Sequence, residues 1–177
     1  MRKLTHAQIV DRQVARSQEP RIPVSVVLDN IRSLNNVGAI FRTADGAGIE
    51  KIWLCGITGY PPQGEIARTA LGAEESVAWE YAKDVLEVVR RHKARGYQVV
   101  LLEQAEESIA YDEFISDKPV CLVVGNEVEG VMEELVQLAD VVVEIPMAGV
   151  KNSLNVAVAF GVIAFHLTRL FSRRRGL

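Results

Sequence analysis

The sequence predicts an α/β domain built on a mostly parallel sheet with helices on both faces. Short apolar runs recur at Val24–Leu28, Lys51–Cys55, Gln98–Leu102, Val120–Val124 and Val141–Ile145, and stretches with helical spacing separate them. The runs are near-continuously apolar rather than alternating, the pattern of strands buried on both faces in βαβ units. In such sheets ligands bind beyond the carboxyl ends of the strands, so function is expected in the loops that follow them.

Taken in order, Thr5 and Gln8 have the spacing of a capping box, and Pro20 and Pro23 close the segment, so a short helix is expected within residues 1–20. Leu34–Ala47 has helical periodicity with Gly48 as its stop, and with the runs on either side it forms a βαβ unit. Gly56–Gly64, rich in glycine and proline, reads as an exposed loop, and Asp84–Arg95 as an amphipathic helix ended by Gly96. Further helices are expected at Met132–Ala139 and from about Asn155 to Leu170. The last of these is apolar almost all round, which suits burial in the fold or against a second subunit. No repeat, linker or low-complexity segment interrupts the pattern, so residues 1–177 are expected to form one domain with a basic tail at 171–177.

A chain of 177 residues, 49% hydrophobic, has material for one ordinary core. Its apolar runs are far shorter than the roughly 20 residues that cross a bilayer, and the N-terminus lacks the apolar stretch of a secretory signal. A cytoplasmic protein with no membrane association is therefore expected. Cys55 and Cys121 sit singly in strand-like runs and read as buried thiols in a reducing compartment. His6, His92 and His166 are scattered, so no metal is expected. A net charge of −3 argues against a nucleic-acid partner, yet the basic residues are grouped at Arg12, Arg16 and Arg21, at Arg90–Arg95 and at Arg173–Arg175. Each group is open to two readings, a positive face or an ordinary solvated surface.

Three segments carry chemistry. After Leu28 a dinucleotide-binding fold would have a glycine-rich turn; the chain instead runs Asp29-Asn30-Ile31-Arg32-Ser33-Leu34-Asn35-Asn36-Val37-Gly38 into a helix bearing Arg42. Amide and guanidinium groups of this kind suit ribose and phosphate oxygens, and Asn36 and Arg42 are expected to lie toward the strand-end cleft. The structural alternative is that Asn35 or Asn36 caps the helix and Arg42 pairs with an acid. Gly125-Asn126-Glu127-Val128-Glu129-Gly130 follows the run Val120–Val124, where Gly125 permits close backbone approach and Glu127 would face the same crevice. Its alternative is a plain turn with two solvated acids. The third segment, Glu144 to Asn155, leaves a strand and enters the last helix, with Ser153 placed as its cap. Its alternative is a capped core helix.

Together these segments resemble, in order and spacing, the three motifs of the SpoU class of methyltransferases. NNVGAIFRTADGAGI is similar to the first, CLVVGNEVEGV to the second and VEIPMAGVKNSLNVAVAF to the third, while TALGAE at 69–74 is similar to the TrmH-like branch. The resemblance covers roughly Val24 to Thr168. It implies a sheet whose C-terminal part forms a deep trefoil knot, which general topology rules would never predict. It also implies a homodimer and S-adenosylmethionine bound at Leu102, Gly125, Ile145, Met147 and Leu154, with a methyl group passing to an RNA ribose 2′-hydroxyl. The implied catalytic and ribose-handling residues are Asn36, Arg42, Glu127, Ser153 and Asn155. Two positions depart from or add nothing to the pattern: Ala157 stands where many relatives carry serine, and Asn152 has no evident role. With only about twenty residues before the first strand, RNA is expected to be held by the catalytic domain, the first helix or the tail. Transfer RNA is favoured over ribosomal RNA. The rival readings are a non-catalytic RNA-binding protein of the same fold and an ordinary nucleotide-dependent oxidoreductase, the latter disfavoured by the missing glycine-rich turn.

Overall fold

A computed structural model describes residues 2–126 and 130–174. The elements are α1 (His6–Ser17), β1 (Ile22–Asp29), α2 (Leu34–Ala47), β2 (Ile49–Cys55), α3 (Gly64–Ala70), α4 (Ala73–Ser76) and β3 (Ala78–Ala82). They continue with α5 (Val85–Ala94), β4 (Gln98–Leu102), β5 (Ile109–Ala110), β6 (Val120–Val124), α6 (Glu133–Leu138), β7 (Val141–Glu144) and α7 (Val156–Arg174). The strands form one seven-stranded sheet in the order β3-β2-β1-β6-β4-β7-β5. Every neighbouring pair is parallel. The expected α/β class, with helices on both faces, is what the chain adopts.

The alternation of side chains along each strand divides the core in two. Val24, Val26 and Leu28 of β1 point to the face covered by α2, α3 and α7, where Phe41, Ile66, Phe160 and Leu167 are fully buried. Val27, Trp53, Leu101 and Val123 point to the other face, under Val88 and Val89 of α5 and Leu135 of α6. Cys55 and Cys121 lie on this second face, buried and unpaired, and burial pushes both thiols up to about 12. No described helix is long and apolar enough to cross a membrane.

The capping box at Thr5 and Gln8 forms, but α1 has no buried residue. Four elements escape the sequence patterns: α3 begins at Gly64 where the loop was expected to end, and α4, β3 and β5 were not anticipated. Each is short, and β3 sits at the sheet edge with only half-buried or exposed residues, so no apolar run marks it. α2 is capped by Ser33, whose hydroxyl accepts from the Asn36 amide; neither Asn35 nor Asn36 is the cap. α7 starts at Val156, and its cap is Asn155, whose Oδ1 accepts from the amides of Ala157 and Val158. The cap expected at Ser153 is therefore corrected to Asn155, because the helix begins at Val156 and only the residue directly before it can accept from the amides of its first turn.

Candidate active site

The carboxyl ends of β4, β6 and β7, with the chain leading into α7, enclose a cleft of about 240 Å³. Typical small-molecule sites hold roughly 300–1,000 Å³, so the space suits one compact ligand. Leu102, Gly125, Ile145, Met147 and Leu154, the five residues implied for cofactor binding, all line it, as does Ser153. Glu103 and Gln104, which line it as well, lie outside the three segments, whereas Asn126, Gly130, Glu144 and Ala159 lie within them but were given no role of their own. A signal for the first two was available: Glu103 and Gln104 directly follow a strand's carboxyl end, where ligands of parallel sheets bind.

Gly125 and Gly130 are both closely packed. A Cβ on Gly125 would lie 2.6 Å from Val131 Cγ1, and one on Gly130 would lie 2.7 Å from Glu103 Oε2. Gly130 also holds a φ of 69°, a conformation glycine adopts at little cost. Asn126 is buried and donates from Nδ2 to the Asn30 carbonyl, and the Gly130 amide donates to the Asn126 carbonyl. Asn30, itself at φ 57°, gives its Nδ2 to Asp29 and accepts from the Ile57 amide through Oδ1. Burial raises the Asp29 carboxyl above its ordinary range. The end of β1 is thereby tied to the loop that forms one wall of the cleft.

The first and third segments meet as well. Asn155, while capping α7, donates from Nδ2 to Asn36 Oδ1 at 3.2 Å, and Gln104 Nε2 donates to the Asn152 carbonyl at 2.7 Å. Ser153 lines the cleft, and Asn36 and Asn155 form a pair beside it. Arg42 does not line the cleft. It is exposed on α2 and makes no ion pair with any described residue, so the alternative pairing is not realised among the described residues. Six residues along a helix rotate a side chain by about 120°, which separates Arg42 from Asn36. Glu127 lies outside the described residues. Several grouped basic residues have structural work: Arg21 binds Asp45 and the carbonyls of Ile49 and Ser76, Arg91 covers Trp53, and Lys93 binds Asp140.

The cleft's chemistry discriminates between ligands. Its described polar side chains are Glu103, Gln104, Asn126, Glu144 and Ser153, with apolar walls from Leu102, Ile145, Met147 and Leu154 and no lysine or arginine. A pyrophosphate would find no counter-charge there. A cation carrying an aromatic ring finds both carboxylates and apolar walls. Among the described residues no cluster of histidine, cysteine and carboxylate side chains is gathered to hold a metal ion.

Residues 23–165 match the model of the SpoU rRNA Methylase family. The chain belongs to the SpoU methylase family. It is 36% identical over 148 residues to the tRNA (guanosine(18)-2′-O)-methyltransferase of Aquifex aeolicus (strain VF5), covering 81% of this chain and 68% of the relative. Its fold matches the crystal structure of the A. aeolicus TrmH/SpoU tRNA modifying enzyme with a TM-score of 0.83 at 30% identity, over 96% of this chain and 85% of the other. The AdoMet-bound rRNA methyltransferase from Sinorhizobium meliloti matches with a TM-score of 0.78 at 35% identity, over 89% of this chain and 59% of that longer one. The SpoU motifs thus coincide with the segments that enclose the cleft or tie to it.

Proposed function

We propose that this SpoU family chain is an S-adenosylmethionine-dependent RNA methyltransferase acting on a ribose 2′-hydroxyl. The observation that carries this reading is the cation-suited cleft, lined by all five residues implied for the cofactor and tied to α2 by the Asn36–Asn155 bond. Leu102, Ile145, Met147 and Leu154 would hold the cofactor's apolar parts, with Glu103 and Glu144 supplying negative charge. When bound, the cofactor supplies an electrophilic methyl group. Ser153, Asn155 and Asn36 would shape the passage from this cleft to the ribose and hold the hydroxyl in line, since positioning can lower a barrier of this type by several kcal/mol. Glu127 is assigned a catalytic role by its motif.

Arg42 would orient the phosphate beside the target ribose and stabilise the developing alkoxide. A guanidinium stays charged near neutrality and is a poor proton acceptor, so water takes the hydroxyl proton. A homodimer is proposed on the exposed apolar side chains Val158 and Phe165, seven residues apart on α7, a surface that a second copy would cover. A 19.5 kDa species in sedimentation at micromolar concentration would refute the dimer. A deep trefoil knot is the proposed finer topology, supported by residues 145–155 crossing from β7 past the chain after β4, where Gln104 holds Asn152. Pulling both ends to full extension tests it, since a knotted chain stays shorter than its roughly 3.5 Å per residue.

The chain is read as one catalytic unit, acting in the cytoplasm as two unpaired cysteines suggest; cell fractionation checks the compartment. Transfer RNA is the favoured substrate, since the Aquifex relative's name specifies a tRNA guanosine and that relative is about two-thirds covered. The test is incubation with methyl-labelled S-adenosylmethionine and total tRNA or rRNA from cells lacking the gene, followed by nucleoside analysis. A 2′-O-methylnucleoside is expected, with Arg42→Ala reducing the single-turnover rate at saturating RNA by a factor on the order of 100 or more. Cofactor binding with no label on any RNA would favour the non-catalytic RNA-binding alternative.

A further inference from the structure

The loop between β2 and α3 carries an aromatic group that the cleft does not use. Trp79 and Tyr81, two residues apart on the edge strand β3, share the face that Trp79 packs against together with α2 and α3. Tyr60 lies over both, with ring centroids 4.8 Å from Tyr81 and 6.4 Å from Trp79, the latter at an interplanar angle of 29°. The arrangement is pinned: Tyr81 donates its hydroxyl to the Gly56 carbonyl, and Gln63 Nε2 donates to the Tyr60 carbonyl. Tyr60 and Tyr81 nevertheless remain 45% and 42% exposed. Aromatic surface held rigidly in place and left facing solvent is costly unless something stacks on it.

Its position connects it to the active site through one helix turn. Gly59 packs against the Leu34 side chain so closely that a Cβ would overlap it. The next residue, Asn35, accepts from the Arg68 guanidinium at 3.1 Å through Oδ1, and the one after, Asn36, is bonded to Asn155. The first turn of α2 therefore carries, in succession, a contact to the aromatic loop, an oriented exposed arginine and a site residue. All lie at the carboxyl end of the sheet, the side on which the cleft opens.

We propose that Tyr60, backed by Tyr81 and Trp79, is a stacking platform for an unpaired RNA base flanking the methylated nucleotide, with Arg68 contacting the intervening phosphate. This rests on the reading of the chain as an RNA methyltransferase. Every base offers a π-face, so the platform accepts single-stranded RNA with little sequence preference, while Arg68 supplies a salt-sensitive backbone contact. Recognition of unpaired bases by tyrosine rings backed by arginine is how proteins commonly hold RNA loops.

The test uses the full chain and a fluorescein-labelled twelve-nucleotide oligoadenylate, followed by anisotropy, together with methylation kinetics on the accepted RNA. Tyr60→Ala is expected to raise the Kd for the oligonucleotide roughly ten-fold and to raise the KM for RNA, whereas Tyr60→Phe, which keeps the ring, stays within about two-fold. Arg68→Ala is expected to lower the slope of log Kd against log salt by about one contact's worth. Melting midpoint and S-adenosylmethionine affinity are measured alongside to exclude misfolding. Unchanged Kd and KM in a folded Tyr60→Ala protein, with methylation by the wild type intact, overturns the platform alone. A wild type that neither binds the oligonucleotide nor methylates RNA overturns the platform and the underlying reading together.

Discussion

The two faces of the sheet bury apolar clusters of unequal size, the larger under α2, α3 and α7, and hold their helices in different ways. On one, α2 crosses α3 at Gly38, where a Cβ would overlap Thr69 Oγ1 and the Ile66 carbonyl, and α7 passes Gly161 against Thr43. At Gly38 backbone approaches backbone, and the polar bonds on this side, Asn36 to Asn155 and Arg68 to Asn35, lead toward the cleft. On the other, α5 is attached through large side chains. Trp53 lies beneath Arg91 and Lys51, each 4.5 Å from its ring, and His92 sits edge-on between Trp53 and Tyr97. The first face is a precise fit that positions a site; the second is a broad anchor that stabilises without reaching it.

The difference can be broken most sharply at Gly38. Gly38→Val forces α2 away from α3, an overpacking cost of about 1–3 kcal/mol, which for a domain of this size lowers Tm by roughly 2–12 °C. Gly46→Ala, on the same helix but with a Cβ only 3.8 Å from Phe165, meets ordinary contact and leaves Tm level or slightly raised. Equal destabilisation by both in thermal melts would show that helix geometry, not close approach, governs this face.

A smaller effect on stability, with a larger one on the site, is expected at Asn155. Asn155→Ala loses the α7 cap, costing about 1 kcal/mol, or roughly 2–4 °C in Tm. Asn155→Asp keeps the Oδ acceptor for the Ala157 and Val158 amides but removes the Nδ2 donor to Asn36. It should retain the wild-type Tm yet lose methylation rate, and parallel loss of both would mean that the residue serves only as a cap.

The least effect belongs to the opposite face and is read in pH. Burial lowers the His92 pKa below its ordinary 6.5, opposed by the hydrogen bond with the Val88 carbonyl and assisted by Arg91, Arg95 and Lys51. The folded chain thus refuses a proton that the unfolded chain accepts. The full stability is present above about 6.5 and declines as pH falls below it. Between pH 7 and 5 the wild type should lose a few degrees of Tm more than His92→Phe, which keeps the edge-on ring contacts without the titration. Identical pH profiles would remove His92 from the account.

Much of the fold was legible because its strands are buried on both sides. Val24–Leu28, Val120–Val124 and Gln98–Leu102 have no polar alternation to confuse with helix, and each is a strand in the structure. β3 was illegible for the converse reason: at an edge, Trp79 and Tyr81 need no continuous apolar neighbours. The residues that line the cleft were legible through family motifs and the strand-end rule. Asn155 as a cap was not, since Ser153 and Asn155 are both good caps and only the three-dimensional path of the chain selects between them. Arg42 illustrates the same limit. Spacing along a helix gives a direction, but whether that direction meets a cleft, a partner or solvent depends on packing that no local pattern encodes.

The bond between Asn36 and Asn155 spans 119 residues of chain. At ordinary synthesis rates, roughly 6–24 s separate the emergence of the two partners from the ribosome. For that interval the strands from β1 to β7 have been made while the cap that joins the first segment to the third has not. Closure of the site is consequently among the last events of folding, and a nascent chain lacking α7 has no complete cleft with which to capture cofactor.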